Sequence, residues 1–356
     1  MQMAVIEPGE AGRDPGFHWM DALNNGKRPA GAGGARWPDA VEHMADVVYA
    51  ERGGQPLLLD LVRPLDRGRG RLPVVLYIHG GGWSSGSRKS VPDAFWLFPG
   101  FIRISIDYRL TGAAPFPAQL EDCQAAIRWV RAHAEELGAD PERIGVWGSS
   151  AGGHLACLLG LAGDCPPREG EPYPLHSHRV QAVVSCSGPT NLPELREWRQ
   201  SVTKLMAGRL DRWIGQMMQK SPFLTKRLIG LILNKLRERL VKGLSADSLE
   251  ALVGCHPDQN GEAWRQASPL HRLGQWRGGS AAEKTGLPSF LLMHGTTDPL
   301  VPIYQSISFY EALKSSSADA VFIPLSGYGH STYWDHAGRF RKESVAHILR
   351  FLQNAL

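Results

Sequence analysis

The feature that most constrains the fold of this chain is the stretch RIGVWGSSAGGHLACLLG at residues 143–160. One apolar run ends at Gly148, a group of small residues follows, and a second apolar run begins after Gly153. This pattern predicts a buried strand, a sharp turn at Ser150 and then a helix. The turn matches G-x-S-x-G only with Ser150 at its centre, since Trp147 would otherwise occupy a glycine position. Small neighbours are needed because the central residue of such a turn takes a strained backbone conformation.

Short apolar runs recur along the rest of the chain. Continuous Val/Ile/Leu runs closed by glycine or polar residues are typical of strands buried on both faces of a parallel sheet. Helical periodicity lies between several of these runs, so the sequence predicts a mostly parallel, eight-stranded α/β sheet with helices on both faces. Ligands bind at the carboxyl ends of the strands in such sheets. The runs lie at 46–50, 55–64, 72–80, 101–108, 143–148, 179–188, 287–295 and 319–327, and the helical patterns at 117–137, 150–162, 304–315 and 339–354.

The segment 191–265 interrupts this alternation, because it has basic helical stretches and no convincing strand. Residues 196–242 alone hold twelve Lys or Arg against three acids, a local balance of +9, whereas the whole chain carries +4. We therefore predict a basic helical cap insertion at 191–265. An irregular N-terminal arm is expected at 1–45, and the two parts of the α/β core at 46–190 and 266–356.

Three interpretations of this insertion stay open. A solvated helical cover over the site is favoured. The insertion would otherwise attract anionic substrates, such as glycans that bear uronic acids, or lie on anionic lipid as a basic amphipathic surface. Contact of the cap with a membrane is therefore considered but not favoured.

Composition excludes several classes of protein. A net charge of +4 gives no argument for a nucleic-acid partner. No apolar run approaches the roughly 18 residues of a membrane span, and the N-terminal sequence MQMAVIEPGE lacks the charged and apolar regions of a signal peptide. The five cysteines are odd in number and form no CxxC pair, as expected of free thiols in a reducing compartment. We expect a cytoplasmic protein without a metal or cofactor; the sequence does not predict an oligomeric state.

Ser150 needs a base and an orienting acid if it is a nucleophile, because a serine hydroxyl at its ordinary pKa is weak. On this kind of turn the partners follow in the order Asp or Glu, then His. Asp298, in FLLMHGTTDPLVP, directly follows a predicted strand, and His330, in LSGYGHSTYW, follows the next one. Asp107 also follows a strand, but it precedes Ser150 and is interpreted as structural. The sequence thus predicts a catalytic triad of Ser150, His330 and Asp298 at one edge of the sheet.

The stretch LYIHGGGW at 76–83 ends another predicted strand in three glycines. Such a loop can turn its N–H groups toward a substrate oxygen without obstruction by side chains. We expect Gly81 or Gly82 to stabilise an oxyanion together with the N–H of Ala151. The loop lacks G-x-G-x-x-G, so a dinucleotide site is set aside.

Three aromatic residues near this edge, Trp83, Tyr328 and Trp334, are candidates for lining a substrate pocket. An equal alternative is that they are packing residues. His154 and His294 are interpreted as buried histidines of the core rather than as acid–base groups.

Taken together, HGGGW, IDYRL, FPAQLEDCQAAIRWV, DPERIGVWGSSAGGHLA, HGTTDPLVP and GYGH resemble the α/β-hydrolase fold, and within it the hormone-sensitive-lipase-type esterases. The most similar branch is the one named for bifunctional feruloyl and acetyl xylan esterases. The resemblance covers about 46–190 and 266–354; the insertion is longer and more basic than that branch implies. The resemblance implies that Ser150 is the nucleophile, that His330 is the base and that Asp298 is the partner of His330. The implied oxyanion donors are Gly81, Gly82 and Ala151.

We expect from these motifs a serine carboxylic-ester hydrolase that acts through an acyl-enzyme on acetyl- or feruloyl-type esters. The partner would be a small ester, with acylated carbohydrate among the candidates. One alternative is a lipid esterase with a membrane-facing lid, and another is an arylformamidase-like amidase. A non-catalytic small-molecule receptor is a remote alternative, since such proteins usually lose the serine or the histidine.

Overall fold

The computed structural model describes residues 41–65, 70–163, 169–220, 247–276, 286–330 and 342–356. Eight strands form one sheet in the order β1-β2-β4-β3-β5-β6-β7-β8. The strands are β1 (Val41–Arg52), β2 (Gln55–Pro64), β3 (Leu72–Ile78), β4 (Ile102–Ile106), β5 (Ala139–Ser149), β6 (Ala182–Cys186), β7 (Ser289–Gly295) and β8 (Ala320–Leu325).

The sheet is antiparallel only at the edge that β1 and β2 form. β2 pairs antiparallel with β1 and with β4. All remaining neighbours, from β4 through to β8, pair in parallel. The predicted eight-stranded, mostly parallel sheet is therefore confirmed.

One boundary differs from the sequence prediction. β1 begins at Val41, so residues 41–45 belong to the sheet and not to an irregular arm. The alternating polar residues of VEHMADVVYA conceal this strand, because an antiparallel edge strand exposes one side and needs no continuous apolar run. Residues 1–40, the rest of the predicted arm, lie outside the described part of the chain.

Helices connect the parallel strands, as the periodicity predicts. The predicted helix at 117–137 divides in two near His133, and the predicted helix at 304–315 has the observed bounds. The described residues of the segment 191–265 include three helices and no strand, while 221–246 lie outside the description. The helices are α1 (Ala118–Ala132), α2 (Ala134–Leu137), α3 (Ala151–Gly160), α4 (Leu192–Lys220), α5 (Asp247–Val253), α6 (Gly261–Gln266), α7 (Pro269–Trp276), α8 (Tyr304–Ser315) and α9 (Lys342–Ala355), with a 3₁₀ turn at Asp93–Leu97.

The core has two layers, one on each face of the sheet. Val74 and Leu76 of β3 pack in one apolar cluster with α1 and α3, whereas Val75 and Tyr77 pack in the other with α9. Successive side chains of a strand point to opposite faces, so this alternation shows that both faces of the central strands are covered. Buried apolar surface on both sides fixes the register of these strands.

The parallel pairing brings the carboxyl ends of β3, β5, β6, β7 and β8 to one edge of the sheet. The loops that carry Ser150, Asp298 and His330 follow three of these strands. No helix in the described ranges is both long enough and apolar enough to cross a membrane.

Candidate active site

Ser150 occupies a strained turn between β5 and α3. Its backbone dihedral angles are φ 55° and ψ −118°, a combination that residues other than glycine rarely adopt. The turn is packed tightly from below, because a Cβ on Gly152 would collide with the carbonyl oxygen of Ile78 at the end of β3. The backbone N–H of Ser150 donates to the carbonyl oxygen of Cys186 at 2.8 Å, which ties the turn to β6. The surrounding structure therefore holds this serine at the sheet edge despite its strain.

The three residues predicted as a triad are in contact. The Nε2 atom of His330 lies 2.8 Å from Oγ of Ser150, and its Nδ1 atom lies 2.7 Å from Oδ2 of Asp298. A carboxylate only accepts hydrogen bonds, so Nδ1 carries the ring proton and Nε2 is left to accept from the serine hydroxyl. This protonation state is the one in which an imidazole can take a proton from the serine.

Asp298 is 8% exposed, and both of its oxygens are occupied. Oδ1 accepts the backbone N–H groups of Leu300 at 2.9 Å and Val301 at 3.0 Å, while Oδ2 faces His330 and His294. Burial alone would raise the pKa of Asp298, but the hydrogen bonds from His294 and His330 outweigh burial and hold that pKa well below its usual range. Asp298 is thus an ionised, fixed partner for His330 at neutral pH.

The glycine loop after β3 approaches the same turn. Gly81 has φ 110°, and a Cβ on it would collide with the carbonyl oxygen of Ser85. The hydroxyl and the backbone N–H of Ser85 both donate to the carbonyl oxygen of Gly81, at 2.9 and 3.1 Å, so this carbonyl is engaged within the loop. Ala151 is the first residue of α3, and the N–H groups of a first helical turn have no acceptor within the helix. The loop conformation and the helix start are compatible with the expected oxyanion site.

Trp83 takes a different place from the one expected of a pocket residue. It is only 2% exposed, and its indole N–H donates to Nδ1 of His154 at 3.2 Å. The Nε2 atom of His154 in turn contacts the carbonyl oxygen of Ala267 at 2.7 Å. Burial lowers the pKa of His154 to about 4, so the ring is neutral and links Trp83 to the backbone of the α6–α7 junction. Trp83 therefore anchors the glycine loop and presents almost no surface to a substrate.

The other two pocket candidates have different outcomes. Tyr328 is partly exposed, and its hydroxyl lies 3.4 Å from Oε2 of Glu343 on α9, while its carbonyl oxygen accepts the backbone N–H of Thr297 at 2.9 Å. Through these contacts Tyr328 joins the loop that carries Asp298 to the loop that carries His330. Its place in a pocket stays a prediction. Trp334 lies outside the described residues.

Ion pairs fix the segment that follows the glycine loop. Arg88 donates from its backbone N–H to Oδ1 of Asp107 at 2.7 Å, and its guanidinium contacts Asp60 at 3.0 Å, Asp107 at 2.6 Å and Asp46. Lys89 pairs with Asp60 at 2.6 Å. Asp107 is thus structural, as expected from the sequence. Sequence reasoning did not find Arg88, because its three acidic partners come from three separate segments.

A side chain of the predicted cap reaches the loop after β7 that carries Asp298, which we call the acid loop. Arg199 of α4 is 8% exposed and donates from Nη2 to the carbonyl oxygen of Leu300 at 3.3 Å and from Nη1 to Oγ of Ser248 at 3.1 Å. Burial lowers the pKa of Arg199, and the charge of Asp298 opposes that shift. The segment 191–265 is therefore in direct contact with the loop that holds Asp298. Among the described residues, no group of three or more His, Cys, Asp or Glu side chains could hold a metal ion.

Two family models match the chain. BD-FAE matches residues 59–232, and the Prolyl oligopeptidase family matches residues 250–356. The first match contains the glycine loop and Ser150, and the second contains Asp298 and His330.

Two of the curated relatives are esterases of Mycobacterium tuberculosis. The chain is 29% identical to Esterase LipC over 316 residues, which is 88% of this chain and 65% of LipC. It is 47% identical to Carboxylesterase NlhH over 94 residues, which is 26% of this chain and 30% of NlhH. The chain thus spans about two thirds or less of the length of these relatives.

Solved structures are similar over most of the chain. A bifunctional GH43-CE protein of Bacteroides eggerthii has a TM-score of 0.63 and 26% identity, and the match covers 88% of this chain and 38% of that one. The butyrate-bound Est2 esterase of Thermogutta terrifontis has a TM-score of 0.55 and 25% identity, with 89% and 91% covered.

Proposed function

Because this chain has the α/β-hydrolase fold and resembles serine esterases of the hormone-sensitive-lipase type, we propose that it hydrolyses carboxylic esters through a covalent acyl-enzyme. The observation that carries this proposal is the continuous hydrogen-bonded chain from Ser150 through His330 to Asp298. A serine on a strained turn, a base within 2.8 Å of its hydroxyl and a buried carboxylate behind the base together favour acyl transfer.

The reaction begins when Oγ of Ser150 attacks the ester carbonyl carbon and His330 takes the hydroxyl proton at Nε2. Asp298 holds the ring in the required tautomer and stabilises the imidazolium that forms. The N–H groups of Ala151 and of Gly81 or Gly82 stabilise the developing oxyanion, and each such donor contributes about 3 kcal/mol to lowering the barrier. His330 then returns the proton to the leaving alcohol. A water molecule, activated by the same imidazole, releases the acid and restores Ser150.

For the substrate we propose a short-chain or aryl acyl ester, of acetyl or feruloyl type, with an acylated carbohydrate among the candidates. The support is the BD-FAE match and the similarity to a butyrate-bound esterase and to a protein titled as bifunctional GH43-CE. The segment 191–265 serves in this proposal as a helical cap on a two-part core at 46–190 and 266–356. Arg199 supports this role, because it joins the segment to the acid loop.

A lipid ester is the second candidate, and one observation favours it. Leu205 and Met206 on α4 are 54% and 44% exposed, and the neighbouring Lys204 and Arg209 are also exposed. Adjacent apolar and basic side chains on a helix suit an anionic lipid surface. An arylformamide remains a third candidate, because the triad does not separate esters from activated amides.

The test is kcat/KM over p-nitrophenyl esters from acetyl to palmitoyl, with methyl ferulate and an aryl formamide alongside. Ser150→Ala should lower kcat at least about 1,000-fold, whereas the adjacent Ser149→Ala serves as a matched control and should stay within a few-fold of wild type. An optimum at acetyl to butyryl supports the small-ester proposal, and an optimum at long chains replaces it with the lipid candidate. Equal activity of wild type and Ser150→Ala would remove the proposed nucleophile.

A further inference from the structure

The carboxylate of Asp298 contacts two histidines on the same oxygen. Oδ2 lies 2.7 Å from Nδ1 of His330 and 3.2 Å from Nε2 of His294. His294 is the penultimate residue of β7, four positions before Asp298. The proposed mechanism uses only His330, so His294 is a buried titratable group in contact with the triad that has no part in the steps above.

The partners of His294 define which of its nitrogens carries the proton. Nε2 lies 2.8 Å from the carbonyl oxygen of Val301, which can only accept a hydrogen bond. Nε2 is therefore protonated; it donates to Val301, and the same nitrogen lies 3.2 Å from Oδ2 of Asp298. Nδ1 lies 2.7 Å from Oγ of Ser306, so both ring nitrogens have a partner. The protonated nitrogen of His294 is consequently the one that lies beside the carboxylate of Asp298.

The ring has little freedom to leave this position. His294 is 0% exposed and Ser306, on α8, is 2% exposed. Within the described ranges, the charged or titratable groups near this site include Asp298 itself, His330 on the same carboxylate oxygen, and Arg199 of α4, which contacts the carbonyl of Leu300. His294, on β7, is the second histidine beside Oδ2.

We propose that His294 is a positioning residue of the catalytic triad, which fixes the carboxylate of Asp298 so that its Oδ2 atom meets Nδ1 of His330. This inference rests on the proposed function, since positioning matters to catalysis only if His330 acts as the base. Without His294, Oδ2 keeps only His330 as a neighbouring ring N–H, and the backbone bonds to Oδ1 alone restrain rotation of the carboxylate about its Cβ–Cγ bond. The orientation of the imidazole then loosens, and small misplacements of a catalytic group reduce rates strongly.

The experiment compares His294→Leu, which removes the donor, with His294→Gln, whose amide N–H can take the place of Nε2–H. We expect His294→Leu to lower kcat about 10- to 100-fold with KM within about twofold of wild type, and His294→Gln to recover at least half of that loss on a logarithmic scale. The control is His133→Leu, which removes a half-buried histidine away from the triad that, like His294, contacts a backbone carbonyl oxygen at 2.8 Å.

A second readout does not depend on ester turnover. The Nδ1–H proton of His330, hydrogen-bonded to Asp298, should give a strongly deshielded proton NMR signal that His294→Leu shifts and His133→Leu leaves in place. If wild type shows no Ser150-dependent esterase activity, the proposed function fails, and this signal still tests whether His294 positions the pair. If His294→Leu does not fold, Ser306→Ala, which removes only the hydroxyl that contacts Nδ1 of His294, takes its place, with a several-fold lower kcat and an unchanged KM expected of the folded variant.

The inference is overturned if folded His294→Leu keeps kcat within twofold of wild type and the NMR signal is unmoved. It is equally overturned if His294→Gln folds but is no more active than His294→Leu. In either case His294 would be a packing residue whose contact with Asp298 has no consequence for the triad.

Discussion

The indole N–H of Trp83 donates to Nδ1 of His154, and this bond joins the glycine loop to the helix that begins after Ser150. The two rings meet edge to face with their centroids 5.1 Å apart. His154 continues the connection to Ala267 at 2.7 Å. Two elements that would each present an oxyanion donor are therefore held at a fixed spacing by one pair of buried side chains.

Trp83→Phe tests this connection, since it keeps an aromatic ring and removes the N–H together with the smaller ring of the indole. A buried acceptor left without its donor costs about 1–3 kcal/mol, and the lost volume adds to that cost, so the free energy of unfolding should fall by at least that amount. The value of kcat should fall as well, with little change in KM, because the loop loses its anchor. Trp264→Phe is the control, as its indole donates to the carbonyl oxygen of Cys255 at 3.0 Å. It should lower stability similarly and leave kcat unchanged; equal kcat losses in both variants would contradict the prediction.

His154 predicts a pH dependence of stability. Burial lowers its pKa from 6.5 to about 4, so the unfolded chain binds a proton at pH values where the folded protein does not. The stability that comes from burying a neutral His154 is fully present above about pH 6.5 and is lost as the pH falls toward 4. At pH 5 the free energy of unfolding should be lower by about 2 kcal/mol. In His154→Gln, which keeps a donor and an acceptor but does not titrate, stability should fall less over this range. Chemical denaturation at pH 7 and pH 5 measures the free energy of unfolding of both proteins. An equal decrease between the two pH values in wild type and in His154→Gln would refute the prediction.

Two adjacent glycines of the loop should respond differently to alanine. A Cβ at Gly81 would collide with the carbonyl oxygen of Ser85, whereas a Cβ at Gly82 has no atom within 4 Å. Both keep their N–H groups, so only the loop geometry changes. We expect Gly81→Ala to lower kcat about 100-fold, the loss typical of one oxyanion donor. Gly82→Ala, at φ 59°, should cost about 1–2 kcal/mol of stability and stay within tenfold in kcat. The reverse order in esterase assays would show that the collision does not reach the oxyanion donors.

Arg88→Met should destabilise the protein, because it leaves the buried carboxylate of Asp60 with fewer partners. The Asp60 side chain is 3% exposed, and charged hydrogen bonds of this kind contribute about 1.5–3 kcal/mol. We expect a loss of at least about 2 kcal/mol and a lower kcat, since Arg88 follows the glycine loop. Arg63→Met provides the comparison, because its partner Glu42 is 39% exposed and such pairs contribute below about 1 kcal/mol. Urea unfolding measures the free energy of unfolding of both variants. Similar decreases in the two would mean that the ion pairs around Asp60 stabilise the protein no more than an exposed pair does.

The sequence by itself determined the sheet and the order of the three site residues. Continuous apolar runs such as VVLYI and FLLMH can be stable only inside a covered sheet, and strands that share a direction bring Ser150, Asp298 and His330 to one edge. The G-x-S-x-G turn was equally readable, because a strained backbone excludes bulky neighbours. Local pattern and chain direction are sufficient for these features, since neither depends on knowing which side chains meet across the fold.

Tertiary structure alone decided what surrounds those residues. For Trp83 the sequence left a pocket role and a packing role equally open, and its buried partner, His154, is 71 positions away. His294 looked like an ordinary core histidine, and only the turn after β7 brings its Nε2 atom to 3.2 Å from the carboxylate of Asp298. Arg88 and Arg199 take their partners from separate segments. Hydrogen bonds and ion pairs are short-ranged and directional, so their partners follow from the packed geometry and not from spacing along the chain.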